Sequence, residues 1–367
     1  MRKIRVLVVD DSVVIRRLLS DVLSQDAEIE LAGTAPNGRI ALAKLPQLNP
    51  DVVTLDIEMP ELDGLATLPE LRKTHPKLPV IMFSTLTERG ALATLDALAR
   101  GATDYITKPA NVGSVTAGIQ SVKDQLIPKI KSLCPLAQPA AAAAACVPST
   151  ASRTVPARPA LRLPERFDVV LIGSSTGGPQ ALSATLCHLP ASFPLPIVVV
   201  QHMPPVFTRH LANRLDQDCA LTVREATGQE TLEPGQVLIA PGNYHLQLER
   251  RGAAVQAVLH QGVPENSCRP AVDVLFRSAA NVFGPNCLAV VLTGMGQDGL
   301  RGAQAIVGAG GTVLAQDEAS SVVWGMPRAV AEAGLARQVV PLSSIATELS
   351  RFASLGRRAA LVFGGQK

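Results

Sequence analysis

A serine in a glycine-rich turn is the first candidate for chemistry in this sequence. Ser175 lies in the segment Gly173-Ser174-Ser175-Thr176-Gly177-Gly178, directly after the apolar run Asp168–Ile172 and just before a helical pattern that begins near Pro179. A strand, a turn of small residues and a helix in this order are typical of an exposed nucleophilic serine. The helix N-terminus would stabilise negative charge that develops during attack.

The same glycines permit two other interpretations. Glycine-rich turns at helix N-termini also bind phosphate. However, no Gly-Lys-Ser/Thr follows, so a P-loop is excluded, and the spacing is not that of a dinucleotide-binding loop. A tight turn with a purely structural role remains open. The local sequence favours the nucleophile.

A nucleophilic serine needs a base and an acid that orients the base. Of the six histidines, His202 follows the apolar run Ile197–Val200, whereas His245 is a second choice and reads as a loop or substrate-side residue. Asp298 lies in a glycine-rich segment after the run Leu288–Leu292, where an ordinary Asp-Gly turn is the alternative. The order Ser, His, Asp differs from that of the α/β-hydrolases, in which the acid precedes the histidine.

Polar side chains also follow the strands predicted in the first 125 residues. Asp10 and Asp11 follow the first strand, Asp56 ends the third, Ser84 ends the fourth, and Lys108 follows the fifth. Carboxylates gathered at one sheet edge repel one another unless a hard cation joins them, and oxygen ligands suit Mg²⁺. Lysine and hydroxyl groups could hold a phosphoryl group that Asp56 attacks. Helix caps and a Lys-Pro turn are the alternatives.

Two parallel sheets are the elements that would position these side chains. In the first half, five short branched runs alternate with helical patterns, which indicates a doubly wound parallel sheet. The runs are Ile4–Val9, Ile29–Ala32, Val52–Leu55, Val80–Phe83 and Asp104–Ile106. The candidate residues of the second half also follow apolar runs, so we predict a second, doubly wound and mainly parallel α/β domain whose strand ends bring them together.

Composition divides the chain into domains. Residues 126–165 hold seven prolines and the run Ala140–Ala145, so this segment should behave as a stiffened linker. We predict one domain over 1–125, a linker over 126–165 and a second domain over 166–355. Residues 356–367 are left unassigned.

Charge and cysteine content exclude several classes of protein. A net charge of +3 on 367 residues argues against a strongly basic nucleic-acid binder. No apolar run reaches membrane-spanning length, so we expect no direct membrane insertion and a cytoplasmic, soluble protein. The six cysteines form no CxxC pair and no metal-ligand spacing. We therefore expect free thiols in a reducing compartment.

The acidic pocket of the first half resembles that of the response-regulator receiver domain, over nearly all of residues 1–125. The resemblance implies that Asp56 is the phosphoacceptor and that Tyr105 is an aromatic switch. It also implies contacts from Ser84 and Lys108 to the phosphoryl group. It implies a magnesium site formed by Asp10, Asp11, Asp56 and the backbone carbonyl of Glu58.

The motifs of the second half resemble those of the chemotaxis protein-glutamate methylesterases, the CheB family, over roughly residues 166–345. They are Gly-x-Ser-Thr-Gly-Gly, Gln201-His202-Met203-Pro204-Pro205, Ala240-Pro241-Gly242, the run Arg269–Phe276, Thr293-Gly294-Met295-Gly296-x-Asp298-Gly299, Ala315–Glu318 and Gly325-Met326-Pro327. The resemblance implies Ser175 as nucleophile, His202 as general base and Asp298 as orienting acid. The backbone at Thr176 and Met295 would hold the oxyanion. Ser174 stands where the family often has alanine, and Gln297 where it often has asparagine.

Together the two resemblances imply a phosphorylation-regulated serine hydrolase. It would demethylate glutamate methyl esters of methyl-accepting chemoreceptors, release methanol, and deamidate receptor glutamines. A chemotaxis-type histidine kinase would be the phosphodonor; the receiver would need Mg²⁺, and the esterase chemistry no cofactor. The rival hypothesis is a receiver fused to a non-catalytic module that binds a nucleotide or a protein. It predicts that Ser175, His202 and Asp298 need not converge.

Overall fold

The computed structural model describes residues 2–108, 115–135 and 164–355 of the chain. Its first unit is a parallel five-stranded sheet of order β2-β1-β3-β4-β5 with helices between the strands, which confirms the predicted doubly wound fold. The strands are β1 Ile4–Val9, β2 Ile29–Ala35, β3 Val52–Asp56, β4 Val80–Ser84 and β5 Asp104–Thr107. The helices are α1 Val13–Ser24, α2 Gly38–Leu48, α3 Gly64–Thr74, α4 Glu88–Ala99 and α5 Val115–Leu133.

Short polar side chains begin four of these helices. Ser12, Asn37, Asp63 and Thr87 each accept a hydrogen bond from the backbone N–H three residues further on, which satisfies a donor that the first turn leaves unpaired. The strand order reverses direction between β1 and β3, so the carboxyl ends of these two strands border a crevice. The candidate phosphoacceptor site lies there.

Helix α5 corrects the predicted start of the linker. It continues to Leu133, past the boundary predicted at residue 125, although it contains Pro128. Leu126 and Ile130 are fully buried in the core of the first unit, so this part of the proline-bearing segment belongs to the domain. The predicted linker from residue 136 to 163, with its alanine run, and the tail 356–367 lie outside the described residues.

The second unit is a parallel seven-stranded sheet of order β14-β13-β12-β6-β7-β9-β8, with a separate antiparallel hairpin β10-β11. Its strands are β6 Val169–Ser174, β7 Ile197–Gln201, β8 Thr222–Glu225, β9 Gln236–Ile239, β10 His245–Arg251, β11 Ala254–His260, β12 Cys287–Val291, β13 Thr312–Gln316 and β14 Gln338–Val340. Its helices are α6 Gly178–Leu186, α7 Phe207–Asp218, α8 Val272–Phe283, α9 Leu300–Gly308, α10 Met326–Glu332 and α11 Leu342–Ala353. The central strands β6, β7 and β12 are adjacent, so the predicted strand ends meet at one edge.

The prediction that all six cysteines are free thiols is wrong for two of them. Cys187 and Cys219 form a disulfide, with Cα atoms 4.2 Å apart. These residues follow the ends of α6 and α7, which pack side by side, so the fold brings together two positions that are far apart in sequence. The described free cysteines are Cys134, Cys268 and Cys287.

Within the described ranges, every helix is too short or too polar to cross a lipid bilayer.

Truncation should locate the end of the first domain. A fragment 1–135 should unfold cooperatively, because it keeps the buried residues of α5. A fragment 1–125 should be less stable by several kcal/mol, since each buried aliphatic side chain contributes about 1.5–3 kcal/mol. Urea unfolding of both fragments measures the difference. Equal stabilities would show that the end of α5 does not contribute to this core.

Candidate active site and phosphoacceptor site

Ser175 follows β6 directly and lies on the tight turn that leads into α6. Its N–H donates to Thr293 O at 3.0 Å, and its carbonyl accepts from Gly178 N at 2.8 Å. Gly177 has φ +74°, a conformation that favours glycine, and a Cβ at this position would lie 2.6 Å from the side chain of Val322. The glycine therefore allows the sharp turn that leaves Ser175 partly exposed at the sheet edge.

The neighbouring Ser174 has a different environment. It is fully buried, and its hydroxyl donates to Gln201 Oε1 at 2.7 Å. The Gln201 amide in turn donates to Ser175 O at 3.0 Å and to His202 O at 3.1 Å. Ser174 thus holds the amide that joins the turn to the end of β7, and its hydroxyl does not face the site.

His202, which is partly buried, and Asp298, which is buried, form a pair beside the serine turn. His202 Nε2 lies 2.7 Å from Asp298 Oδ2, and His202 N donates to Ser174 O at 3.0 Å. Cys268 Sγ lies 3.5 Å from His202 Nδ1. Among the described residues no hydrogen bond joins the Ser175 hydroxyl to His202. The pairing through Nε2 leaves Nδ1 as the nitrogen that can accept a proton from the serine.

Asp298 is held by donors from several elements. Val272 N donates to Oδ2 at 2.7 Å, and Asp273 N and Gly299 N donate to Oδ1 at 3.0 and 2.9 Å. Val272 and Asp273 begin α8, so the carboxylate also lies at the positive end of that helix. Burial raises the pKa of Asp298, but His202 and the backbone donors outweigh it and hold the pKa below its usual value.

His202 has the matching perturbation. Burial lowers the pKa of its imidazole, whereas the hydrogen bond with Asp298 raises it, and the net pKa lies above the usual range. The pair therefore stabilises the imidazolium that forms when the base takes a proton. This is the electrostatic task of the acid in a Ser-His-Asp constellation.

Two backbone N–H groups beside Ser175 are candidates for binding an oxyanion. The loop of Gly294 and Met295 packs against the serine, because a Cβ on Gly294 would lie 2.8 Å from Ser175 Cβ. The N–H groups of Thr176 and Met295 donate no hydrogen bond to any atom of the described residues. Such N–H groups can stabilise a developing negative charge at little cost in reorganisation.

His245 does not join this site, and its expected placement in a loop is wrong. It is the first residue of β10 and is 1% exposed. Its ring lies 3.1 Å from Val263 O and accepts from Ala271 N at 3.2 Å. His245 therefore supports the segment before α8.

The acidic pocket of the first unit brings its predicted residues together. Carboxylate oxygens of Asp10, Asp11 and Asp56 lie within 4.8 Å of one another, an all-oxygen set that fits Mg²⁺. Lys108 Nζ lies 2.8 Å from Asp56 Oδ1 and 3.4 Å from Asp10 Oδ2. Buried Asp10 Oδ2 has no hydrogen bond within the described residues, which leaves it able to bind a cation.

Two other residues predicted to act in the receiver site, Ser84 and Tyr105, contact other parts of the protein. The Ser84 hydroxyl donates to Gly90 O at 3.1 Å and accepts from Thr94 at 2.7 Å, so in this structure it contacts α4 rather than Asp56. Tyr105 is buried, and its ring stacks on Phe207 of α7 with 5.0 Å between centroids. The aromatic residue at β5 therefore contacts the second unit.

The contact between the units reaches the residue next to Ser175. The Thr176 hydroxyl donates to Asp104 Oδ2 at 2.8 Å, and Lys129 of α5 pairs with the same carboxylate. Gln180 Nε2 donates to Ala102 O at 3.0 Å. Ion pairs join α4 to α7, between Asp96 and Arg214 and between Glu88 and both Arg209 and His210.

Sequence reasoning missed several residues around the catalytic candidates. Asn266, Cys268 and Asp273 contact the His202–Asp298 pair, and Gln201 joins two of its supporting strands. The run Arg269–Phe276 was a signal for Asp273, because it is one of the motifs that resemble the methylesterase family, although the sequence analysis assigns its residues no role. Asn266 lies just before this run, in a turn that no pattern marks.

The fold and both sites define a class: a parallel α/β unit with a Ser-His-Asp constellation, joined to a receiver-like unit. Residues 170–349 match the family model of the CheB methylesterases, and residues 6–120 match that of the response regulator receiver domain. The chain belongs to the CheB methylesterase family, and relatives of that family match it over almost its whole length.

Named relatives agree with this assignment over almost the whole chain. A protein-glutamate methylesterase/protein-glutamine glutaminase of Trichodesmium erythraeum is 53% identical, with 96% of this chain and 99% of the relative covered. One from Nocardioides is 56% identical, with 96% of each covered. The crystal structure of the Thermotoga maritima CheB methylesterase catalytic domain is 47% identical, has a TM-score of 0.50, and covers 50% of this chain and 98% of that chain.

The charge on Asp56 should make the first unit less stable as pH rises. Burial, with a contribution from Asp10, raises the pKa of Asp56 to about 6 despite the hydrogen bond from Lys108. The folded state therefore binds the proton more tightly than the unfolded state, and stability falls between about pH 4 and pH 6. In the fragment 1–135 with EDTA, Asp56→Asn should gain about 3 kcal/mol over wild type between pH 4 and pH 7.5.

Urea unfolding at the two pH values measures this gain. Asp21→Asn, which changes an exposed carboxylate of α1, is the matched control and should show no comparable gain. A pH-independent difference between wild type and Asp56→Asn would contradict the raised pKa.

Proposed function

We propose that this protein is a phosphorylation-regulated protein-glutamate methylesterase and protein-glutamine glutaminase that acts on methyl-accepting chemoreceptors. The observation that carries the proposal is the His202–Asp298 pair, with Nε2 2.7 Å from Oδ2, beside the partly exposed Ser175. Membership of the CheB methylesterase family supports the same reaction. The convergence of three strand ends argues against a non-catalytic binding module.

In the proposed reaction Ser175 is the nucleophile. Its hydroxyl attacks the ester carbonyl carbon while His202 Nδ1 takes the proton, and Asp298 stabilises the imidazolium through Nε2. The N–H groups of Thr176 and Met295 hold the oxyanion. The intermediate collapses to an acyl-enzyme, and His202 gives its proton to the departing methanol.

Water then completes the reaction through the same base. His202 removes a proton from water as the water attacks the acyl-enzyme, and returns it to the Ser175 oxygen, which leaves a free glutamate. A glutamine side chain follows the same course, with ammonia in place of methanol. The esterase chemistry uses groups of the chain alone.

The receiver supplies the regulation in this proposal. Asp56 is the phosphoacceptor, and Asp10, Asp11, Asp56 and the carbonyl of Glu58 would hold Mg²⁺. When bound, Mg²⁺ supplies positive charge that offsets the carboxylates and the incoming phosphoryl oxygens. Lys108 adds a second positive charge to the same pocket, and Ser84 would contact the phosphoryl group after turning from α4.

Without phosphorylation the receiver inhibits the esterase. Asp104 bonds the hydroxyl of Thr176, the residue whose N–H would bind the oxyanion, and α4 packs against α6 and α7 beside the serine turn. Phosphorylation of Asp56, transmitted through Ser84 and Tyr105, would shift the stacking of Tyr105 on Phe207 and weaken this contact.

The proposed partners follow from these two activities. A chemotaxis-type histidine kinase would be the phosphodonor, and the methylated cytoplasmic parts of chemoreceptors would be the substrates. Both reactions then take place in the cytoplasm. The proposal includes no nucleic-acid partner and no direct membrane insertion.

Separate substitution of the two adjacent serines distinguishes the nucleophile, Ser175, from Ser174, which stabilises the turn through Gln201. Ser175→Ala should lower methanol release from methylated receptor by at least about 1000-fold, because nucleophile and base act as a unit. Ser174→Ala should keep most of the activity but lower stability by about 1–3 kcal/mol, because it leaves Gln201 Oε1 buried without its donor. Rate and urea unfolding are measured for both. Equal losses of activity would refute the assignment of Ser175.

Removal of the receiver should activate the esterase. The fragment 164–367 should release methanol about 5- to 150-fold faster than the unphosphorylated full chain, the range of typical coupling energies. Full-length Asp56→Asn should stay slow when a phosphodonor and Mg²⁺ are added. A fragment no faster than the full chain would exclude inhibition by the receiver.

Loss of a single ion pair tests the interface between the two units in the full chain. Arg214→Ala removes the ion pair with Asp96 and should raise the unphosphorylated rate about 1.5- to 5-fold, as expected for an exposed pair. Arg301→Ala, which changes an exposed arginine of α9, is the matched control and should leave the rate unchanged.

A further inference from the structure

Two buried carboxylates beside the catalytic pair share one amide group. Asn266 Nδ2 donates to Asp298 Oδ1 at 2.9 Å and to Asp273 Oδ2 at 3.0 Å. Asp298 and Asp273 are 2% and 1% exposed, so neither can rely on water for its hydrogen bonds. A neutral group with two N–H donors suits this place, because it satisfies both acceptors without adding charge.

Asp273 connects this amide to the helices around it. Its Oδ1 accepts from Gly302 N of α9 at 2.7 Å, and its own N–H donates to Asp298 Oδ1 at 3.0 Å. Asp273 thus joins the first turn of α8, to which it belongs, to α9, to the Asn266 side chain and to Asp298. An amide fixed at Asp273 has little freedom to move away from Asp298.

The turn that carries Asn266 is held in one conformation. Glu265 N donates to Cys268 O at 3.1 Å, and Cys268 N donates to Glu265 O at 2.8 Å. Asn266 and Ser267 have φ values of +51° and +61°, in the left-handed region that asparagine tolerates better than most residues. The side chain therefore leaves a constrained backbone and reaches inward to the two carboxylates.

The charge distribution fits an acid that keeps its negative charge. Burial, together with the nearby Asp298, raises the pKa of Asp273, whereas the pKa of Asp298 is lowered by its several donors. The negative charge of this cluster is therefore favoured on Asp298, the carboxylate that pairs with His202.

We infer that Asn266, anchored by Asp273, is a positioning residue that holds Asp298 in the orientation that aligns its Oδ2 with His202 Nε2. Within the described residues Asn266 has no hydrogen bond with the nucleophile or the base, so it acts through Asp298. The inference rests on the proposed hydrolase function for its consequence in catalysis. Its consequence for the ionisation of His202 does not depend on that function.

Loss of the amide should loosen the alignment of Asp298, which lowers kcat, and should raise its basicity. The carboxylate stays beside His202, because Val272 N, Asp273 N and Gly299 N still bind it. Without the donor, Asp298 Oδ1 loses a hydrogen bond to its charged form, so the carboxylate becomes more basic and holds the imidazolium proton more strongly. The pKa of His202 then rises, and less of the base is free at neutral pH. The groups that titrate or carry charge around this bridge are His202, Glu265, Cys268, Asp273, Arg277 and Asp298.

Asn266→Gly in the full chain is the direct test, because glycine readily adopts the left-handed backbone and removes the side chain that carries the amide. In the presence of a phosphodonor and Mg²⁺, kcat for methanol release should fall about 10- to 100-fold, the range for a hydrogen bond to a charged group. KM should change less than about twofold, since Asn266 does not touch the substrate. The acid limb of the pH profile should move to higher pH.

A second readout does not require esterase activity. The pKa of His202, followed by NMR in protein with ¹³C-labelled histidine and assigned with His202→Gln, should rise by about 0.5 to 1 in Asn266→Gly. Asp273→Asn removes the anchor of the amide and should lower kcat as well, with less than additive effects in the double variant. Asn281→Ala, an exposed asparagine of α8, is the control and should match wild type.

The outcomes separate this inference from the proposed function. Unchanged kcat and unchanged His202 pKa in Asn266→Gly would overturn the inference while leaving an active wild type as a methylesterase. An equal loss of activity at every pH with no change in the His202 pKa would also overturn it, because that pattern reflects structural damage alone. A wild type that releases no methanol but shows the His202 change would refute the function and support the positioning role.

Discussion

The buried carboxylate of Asp298 is the constraint on which the esterase half depends. A charge in this position is costly unless donors surround it, and the donors come from α8, from the loop after β12, from Asn266 and from His202. Each donor fixes one neighbouring element. The start of α8, the end of β7 and the turn before Arg269 therefore converge on a single oxygen pair.

The two halves use the same geometric solution for different chemistry. In each, parallel strands end at one edge where the order of the sheet reverses, and polar side chains gather there. In the receiver the gathered groups are carboxylates and a lysine, which suit a cation and a phosphoryl group. In the esterase half they are a serine, a histidine and one carboxylate that is already paired. The two sites differ in the types of residue at the strand ends and not in the geometry of the sheet.

Much of this arrangement could be predicted, because functional residues at the carboxyl edge of a parallel sheet follow directly after the apolar runs that form its strands. The strands before Asp56, Ser175 and His202 were recognisable for that reason. Features set by tertiary contacts could not be predicted in the same way. Pro128 suggested a linker, yet buried neighbours keep it in α5. The Cys187 disulfide depends on the packing of two helices, and the role of Asn266 depends on a turn whose left-handed backbone leaves no pattern in the sequence.

The contact of Asp104 with Thr176 has a consequence for the receiver as well as for the esterase. Thermodynamic coupling between two equilibria is reciprocal. If the first process changes the equilibrium constant of the second by some factor, the second changes that of the first by the same factor. If a phosphoryl group on Asp56 disfavours the packed arrangement, then the packed catalytic unit must disfavour the phosphoryl group by the same factor. Under the proposed regulation the esterase unit would be an effector of its own receiver, and a substrate that competes for the covered edge would make Asp56 easier to phosphorylate.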